Sequence, residues 1–306
     1  MMNKIGAGGG GAAVALILII AVVAAFLYFS YSPGPAALPA TEGVEAIYSF
    51  PASVTPSSTF GVNFYVSNNL AGGSASNINL CLDNLGLFSL ASSSSRCVKI
   101  PSLFAGGTLF ESFSLVAPPS SYYGNIPYSQ NLGYFINFSY LSSATQSFVF
   151  LSPSTISSGK TGPAESFSST AGPVGIATSL SPQVAYGNDA YLELTLSNVG
   201  NGIPLSNVDM NISMDTAFIN MTSLPAGVKV YSYPNGTTVF SFSVDLGSGS
   251  VNMQLPIGLS SSELSGLTST GVPNSPPFYA HISLGYDYEE DGAFPITLDT
   301  QTYYYP

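Results

Sequence analysis

The sequence predicts an all-β chain, with two tandem immunoglobulin-like antiparallel β-sandwiches preceded by a single N-terminal transmembrane helix. Three observations predict it. Residues 12–31 form an uninterrupted apolar run, both halves of the remaining chain alternate apolar and polar residues with period two, and the second half repeats the first at an offset near 130. A length of 306 residues is that of about two domains.

The run AAVALILIIAVVAAFLYFSY at 12–31 carries no charge, and about 20 such residues cross a hydrocarbon core. Tyr28 and Tyr31 stand at one end, where interfacial aromatics belong, and Lys4 lies beyond the other. The positive-inside rule then puts residues 1–11 in the cytoplasm and the body outside, as a single-pass plasma-membrane protein. An uncleaved signal anchor is the favoured reading. A cleaved secretory signal has a shorter apolar region and a small residue at −3, whereas the nearest site, before Thr41, has Leu38 there. A pilin-type leader, cut ahead of the helix, is the third reading. Lys4 followed by Ile5 and a glycine run fits it poorly.

Residues 32–43, SPGPAALPATEG, read as a Pro-rich stalk, and 152–172, rich in Ser, Gly and Pro, as a linker. The modules are therefore 44–151 and 173–306. In the first, Val62, Phe64 and Val66 alternate with Asn63, Tyr65 and Ser67, and Ile78, Leu80 and Leu82 alternate with Asn77, Asn79 and Cys81. In the second, Leu192, Leu194 and Leu196 alternate with Tyr191, Glu193 and Thr195, and Val208, Met210 and Ile212 with Asp209, Asn211 and Ser213. Such alternation marks half-buried strands. Residues 260–267 suggest one short helical turn.

The repeat aligns Asn68 with Asn198, Ile78 with Val208, Leu80 with Met210 and Phe88 with Phe218 at an offset of 130. Further on, Gly107-Thr108 and Ser112-Phe113-Ser114 match Gly236-Thr237 and Ser241-Phe242-Ser243 at 129. Ile136, Tyr140 and Phe148 match Ile282, Tyr286 and Phe294 at 146, which places an insertion of about 17 residues near 256–277.

Cys81 and Cys97 are the two cysteines. The inward residues beside them, Leu80 and Leu82, then Val98 and Ile100, turn both outward on successive strands. Outside the cytoplasm this reads as a cross-strand disulfide on the solvent face. Four sequons begin at Asn137, Asn211, Asn220 and Asn235. They are glycosylation candidates, although Asn235-Gly236 also reads as the tip of a hairpin.

Only 7% of residues are charged, against roughly 25% in average domains. The net charge of −11, with 5 scattered bases, excludes a nucleic-acid partner. The one histidine, His281, sits in a strand pattern, no nucleophile elbow leads a helix, and no phosphate loop follows a strand. The expectation is therefore no enzyme, no cofactor and no assigned metal. Asp287, Glu289, Glu290 and Asp291 form a weak Ca²⁺ candidate, whose plainer reading is a solvated hairpin turn at Asp291-Gly292. Tyr303, Tyr304 and Tyr305 read as a contact patch, a frayed end or a last strand.

Segments such as Leu196-Ser197-Asn198-Val199-Gly200-Asn201-Gly202 before Asn207-Val208, and Leu103-Phe104-Ala105-Gly106-Gly107-Thr108 before Phe113-Ser114-Leu115-Val116-Ala117-Pro118, resemble the CARDB-like and S-layer-associated immunoglobulin-like modules of archaeal and bacterial surface proteins. The resemblance spans both modules. It implies sandwiches used as adhesive or spacer units in a cell envelope, partnered by other surface proteins or by the chain itself, with no catalytic residues. The second copy departs from it at Asp245-Leu246-Gly247. A pilin-type filament subunit and an extracytoplasmic ligand-binding accessory subunit are the alternatives.

Overall fold

The computed structural model describes residues 43–69, 74–122, 126–152, 155, 157–158, 166–181, 190–215, 224–247, 249–259, 275 and 277–299. The chain divides into two units, Met1–Pro39 and Ala40–Pro306, and all described residues belong to the second. The apolar run 12–31, the turn at 260–267, Asn220 and Tyr303 to Tyr305 lie outside the described residues. Among those described, no helix is long and apolar enough to cross a membrane.

The strands in chain order are β1 (Val44–Ser49), β2 (Ser53–Val54), β3 (Thr59–Asn68), β4 (Ser74–Leu82), β5 (Ser89–Leu90), β6 (Cys97–Phe104), β7 (Thr108–Val116) and β8 (Tyr128–Phe148). The second half supplies β9 (Phe167–Ser169), β10 (Val174–Ser181), β11 (Ala190–Asn198), β12 (Ile203–Pro204), β13 (Val208–Asp215), β14 (Lys229–Ser232), β15 (Thr237–Val244), β16 (Ser250–Ile257) and β17 (Phe278–Leu298). One long sheet runs β14-β15-β13-β17-β8-β4-β6, with β2 and β12 on β17 and β9 on β8. Two small sheets, β1-β3-β7-β5 and β10-β11-β16, complete the fold. The chain is all-β and its sheets are antiparallel apart from the short parallel pairing of β2 with β17.

The long sheet joins the halves. β8 and β17 pair antiparallel along all 21 residues, from Phe148↔Phe278 to Tyr128↔Leu298, a seam about 70 Å long at the usual rise per residue. Even-numbered residues of both strands face inward and carry the core: Leu132, Ile136, Phe138, Tyr140, Ile282, Leu284, Tyr288, Phe294 and Ile296 are buried. The first small sheet covers one end of this face, where Phe64 meets Phe113, Tyr134 and Phe294 at ring-centroid distances of 5.7, 5.1 and 6.2 Å. The second covers the other end. There Leu192, Leu194 and Leu196 share the core with Met210, Ile212, Phe240 and Leu284.

Strand pairing corrects part of the repeat. Val44↔Asn68 and Val174↔Asn198 keep the offset of 130. Leu80 faces Val98 and Ile136 as Met210 faces Phe242 and Leu284. β6 therefore corresponds to β15 at an offset of 144, and β8 to β17 at 148 rather than 146. The match of 107–114 to 236–243 fails, because β7 pairs with β3 in a small sheet while β15 pairs with β13 in the long one. The counterpart of β7 is β16, and the main insertion falls between β13 and β15, around β14. At 148, Ser139 corresponds to Asp287, the residue it faces. The two halves are thus related by a local two-fold axis through that pair.

The connection after β8 is bound to the fold where it is described. β9 adds to β8 by Ala144↔Ser169, and buried tyrosines clasp the chain that follows. The Tyr140 hydroxyl donates to the Ala171 carbonyl at 3.0 Å, and the Val174 N–H donates to the Tyr286 hydroxyl at 3.3 Å. Tyr288 donates to Asn198 Oδ1 at 2.8 Å, whose amide donates to the Gly202 carbonyl at 2.8 Å. Gly200 permits this, since a Cβ there would lie 2.4 Å from the Tyr288 hydroxyl.

Candidate functional site

Cys81 and Cys97 are direct cross-strand partners with Cα atoms 4.1 Å apart, and they form a disulfide. That spacing suits a non-hydrogen-bonded antiparallel pair. The facing differs in one respect from the sequence reading. Cys81 is on the outer face but only 1% exposed, because Phe135 is its neighbour across β8 and the Asn79 amide donates to its sulfur at 3.2 Å. Asn77, at φ 52°, forms the bulge between Ser76 and Asn79 that resets β4.

The acidic residues do not form a turn. β17 runs straight through Asp287 to Gly292, because β8 offers a continuous ladder and Gly292 leaves room for Tyr134, whose ring would sit 2.3 Å from a Cβ at that position. Asp287, Glu289 and Asp291 lie on the outer face and Glu290 on the inner one. Among the described residues, no three His, Cys, Asp or Glu side chains are placed to hold a metal ion. His281 stacks on Tyr279 at 6.3 Å, and its Nδ1 meets the Thr145 hydroxyl at 3.2 Å. These are neighbours on an exposed strand face.

Asn137 and Asn211 both lie on the outer face of the long sheet, opposite Glu289 and Ser283 on β17. Asn235 is in the β14–β15 hairpin. The Gly236 N–H donates to the Tyr233 carbonyl at 3.1 Å, and Gly236 takes φ 81°, a four-residue turn closed by a left-handed glycine. Asn235 Oδ1 accepts from the Thr237 N–H at 3.2 Å.

Depressions mark the surface of the described residues. The first, about 350 Å³, lies over the two-fold axis and is lined by Ser76, Ser139, Ser206, Asp209 and Asp287 among others. The Ser139 hydroxyl donates to Asp287 at 2.6 Å, and that of Ser243 donates to Asp209. The second, about 370 Å³, is an apolar groove at the open side of the second sandwich, lined by Leu194, Val228, Phe242, Val251, Met253 and Leu255. Nothing in the sequence pointed to it, because its lining reads as ordinary core alternation.

Burial pushes the Tyr140 hydroxyl up to about 12 and raises that of Tyr286 further. Among the described residues one ion pair occurs, Arg96–Asp83 at 3.6 Å, with both side chains exposed, and such pairs contribute little. The expected pH profile follows. Acid removes few stabilising charges, so the melting temperatures at pH 2.5 and pH 7 should agree within a few degrees. Base acts differently. Above the ordinary tyrosine value near 10 the unfolded chain releases protons that the folded chain retains, so stability falls from there up to the folded value. Circular dichroism melts across pH 2–12 check both limbs. Tyr140→Phe should move the alkaline midpoint upward, and unfolding at pH 2.5 would contradict the acid limb.

The fold defines an all-β protein of β-sandwich-like antiparallel sheets. No family model and no curated protein matches the chain. Solved structures similar to parts of it include a fragment of native α2-macroglobulin from Escherichia coli, from domain MG7 to its C-terminus. That match has 13% identity and a TM-score of 0.24, and covers 62% of this chain and 27% of that one. The secreted serine protease VesC of Vibrio cholerae matches at 9% identity and a TM-score of 0.23, over 84% of this chain and 52% of that one. A protein of unknown function from Porphyromonas gingivalis W83 matches at 13% and 0.21, over 66% and 83%. The chain spans about a quarter and a half of the first two, and at these scores the likenesses carry no functional argument.

Proposed function

We propose that the chain is a membrane-anchored surface protein of structural or adhesive type, whose paired sandwiches present a broad, sparsely charged face to an envelope lattice or a partner. The observation that carries this reading is the 21-residue seam. Two modules pinned along a shared sheet cannot swing independently, which suits a spacer or lattice element more than a hinged clamp. The apolar run at 12–31 and the low charge support it from the sequence, as does the resemblance to S-layer-associated modules. On this reading the outward Asn137, Asn211 and Asn235 carry glycan on the exposed surface.

The test combines protease shaving of intact cells with N-terminal sequencing and intact mass of the protein recovered from their membranes. A body cut from outside and a start at Met1 or Met2 support the signal-anchor form. A body protected from protease and recovered in the cytosol sinks the proposal. A start within residues 6–12, together with fibres, moves it to the filament alternative. Deglycosylation is expected to lower the intact mass, and Asn137→Gln and Asn211→Gln should each remove one step of that shift.

A further inference from the structure

We propose that the outer face of the β1-β3-β7 sheet is a binding platform for a neutral polysaccharide, a β-1,4-linked chain of hexopyranose units, with Ile47, Tyr65 and Phe110 as its stacking row. The inference rests on the surface-adhesive reading for access to such a polymer, and it names the chemistry of the partner.

The three side chains stand in register across adjacent strands, Ile47↔Tyr65 and Tyr65↔Phe110. They point away from the core, because Ala46, Phe64, Val66 and Phe113 take the inward positions. Each leaves about half of its surface in water, at 53, 47 and 52% for Ile47, Tyr65 and Phe110. The Tyr65 and Phe110 rings lie 5.3 Å apart. Scattered exposed apolar residues are ordinary, whereas a contiguous group marks a surface that meets something.

The fold does not require this row. The second half repeats the sheet as β10-β11-β16, and the same register positions there hold Ala177, Thr195 and Asn252. The Thr195 hydroxyl donates to Asn252 Oδ1 at 2.7 Å. A small polar row thus serves the second half, and the large apolar row is an addition confined to the first.

Size and charge select the ligand. The row is two strand spacings long, about 10 Å, and exposes roughly 300 Å² of side chain. A stable protein partner, a second copy included, takes about 800 Å² from each side. A sugar chain needs far less. A hexopyranose carries C–H bonds on its flat faces and hydroxyls around its rim. The C–H faces are attracted to the negative faces of aromatic rings, and the rim needs neutral donors and acceptors beside them. Asn63 and Ser112 supply these on one side of the row, joined at 2.8 Å, and Ser67 and Thr108 on the other. Glu45 is the one charged side chain that β1, β3 and β7 place on this face, and the Asn69 amide donates to its carboxylate at 2.8 Å. The face therefore offers no cation to an acidic polymer. A row running across a sheet matches an extended, flat β-1,4 ribbon better than a coiled α-linked chain.

The experiment uses the full chain, extracted from its membranes in a detergent without a sugar headgroup. It is titrated calorimetrically with cellohexaose and with chitohexaose. At least one should bind, with an affinity that changes less than twofold in 1 M NaCl. Tyr65→Ala and Phe110→Ala should each weaken binding at least tenfold while leaving the melting temperature within a few degrees, and Thr195→Ala in the equivalent row should bind as wild type. Binding of neither oligosaccharide overturns the proposal. Binding that survives both row substitutions overturns it too, because the site then lies elsewhere. Self-association that Tyr65→Ala disperses in sedimentation, without sugar binding by wild type, gives the row to a second copy instead. Protease shaving of intact cells tests the surface reading separately. An accessible body that binds neither oligosaccharide leaves that reading standing and removes this one, whereas a protected body that binds keeps the platform and removes the surface reading.

Discussion

Replacing both cysteines, Cys81→Ala with Cys97→Ala, is expected to lower stability by about 3 kcal/mol, the chain-entropy value for a loop of this size. The separation is 16 residues. For a unit as large as this, that corresponds to a fall in melting temperature of roughly 6–12 °C. Alanine is the right replacement, because Cys81 is buried and a serine hydroxyl there would need a partner. The loss should centre on β6, the outermost strand of its end of the long sheet. Hydrogen exchange should speed up in β6 more than in β8. An unchanged melting temperature would falsify the assignment of the disulfide as a stabilising clasp and leave the ladder alone holding β6.

The second large effect concerns the seam. Phe138 and Tyr288 are both buried, face each other across β8 and β17, and bring their rings within 5.7 Å. Truncation of such a ring, Phe138→Ala, is expected to cost about 3–5 kcal/mol. The informative quantity is where the cost appears. Phe138 belongs by sequence to the first module, yet its strand is paired to β17 over its full length. Calorimetry should show one transition for wild type and one, shifted, for the variant. Exchange protection should drop in β13 as well as in β4. Two transitions with only one moving would mean that the modules unfold separately and that the seam transmits little.

Much of the fold was legible in the sequence. The alternation around Val62, Phe64 and Val66 and around Leu192, Leu194 and Leu196 is found in β3 and β11 with the predicted residues inward. The cysteine pair followed from the same logic, because each had inward neighbours on both sides. The seam was not legible. Asp291-Gly292 carries the local signature of a turn, and only the partner strand, with Tyr134 lying over Gly292, turns it into strand. The match of β15 to β7 misled for a related reason. Both contain Gly-Thr followed by Ser-Phe-Ser, and a single sequence cannot say in which sheet such a strand pairs. The site-level readings fared according to how local they were. The Asn235 turn is set by four residues, whereas the groove is assembled from β11, β15, β16 and residues 225–228.

The axis through Ser139 and Asp287 has a consequence for how the two halves could diverge. In a dimer of identical modules, the residue on the axis would face its own copy, serine against serine or aspartate against aspartate. An on-axis aspartate would set two like charges side by side across the strands. With both halves in one polypeptide, each side of the axis is encoded separately. One position holds a donor and the other an acceptor, and they meet at 2.6 Å. The same freedom extends outward from the axis, where Cys81 in one half stands at the place of Asn211 in the other. A covalent clasp and an outward asparagine thus occupy equivalent sites, a difference that a symmetric pair of identical chains could not encode.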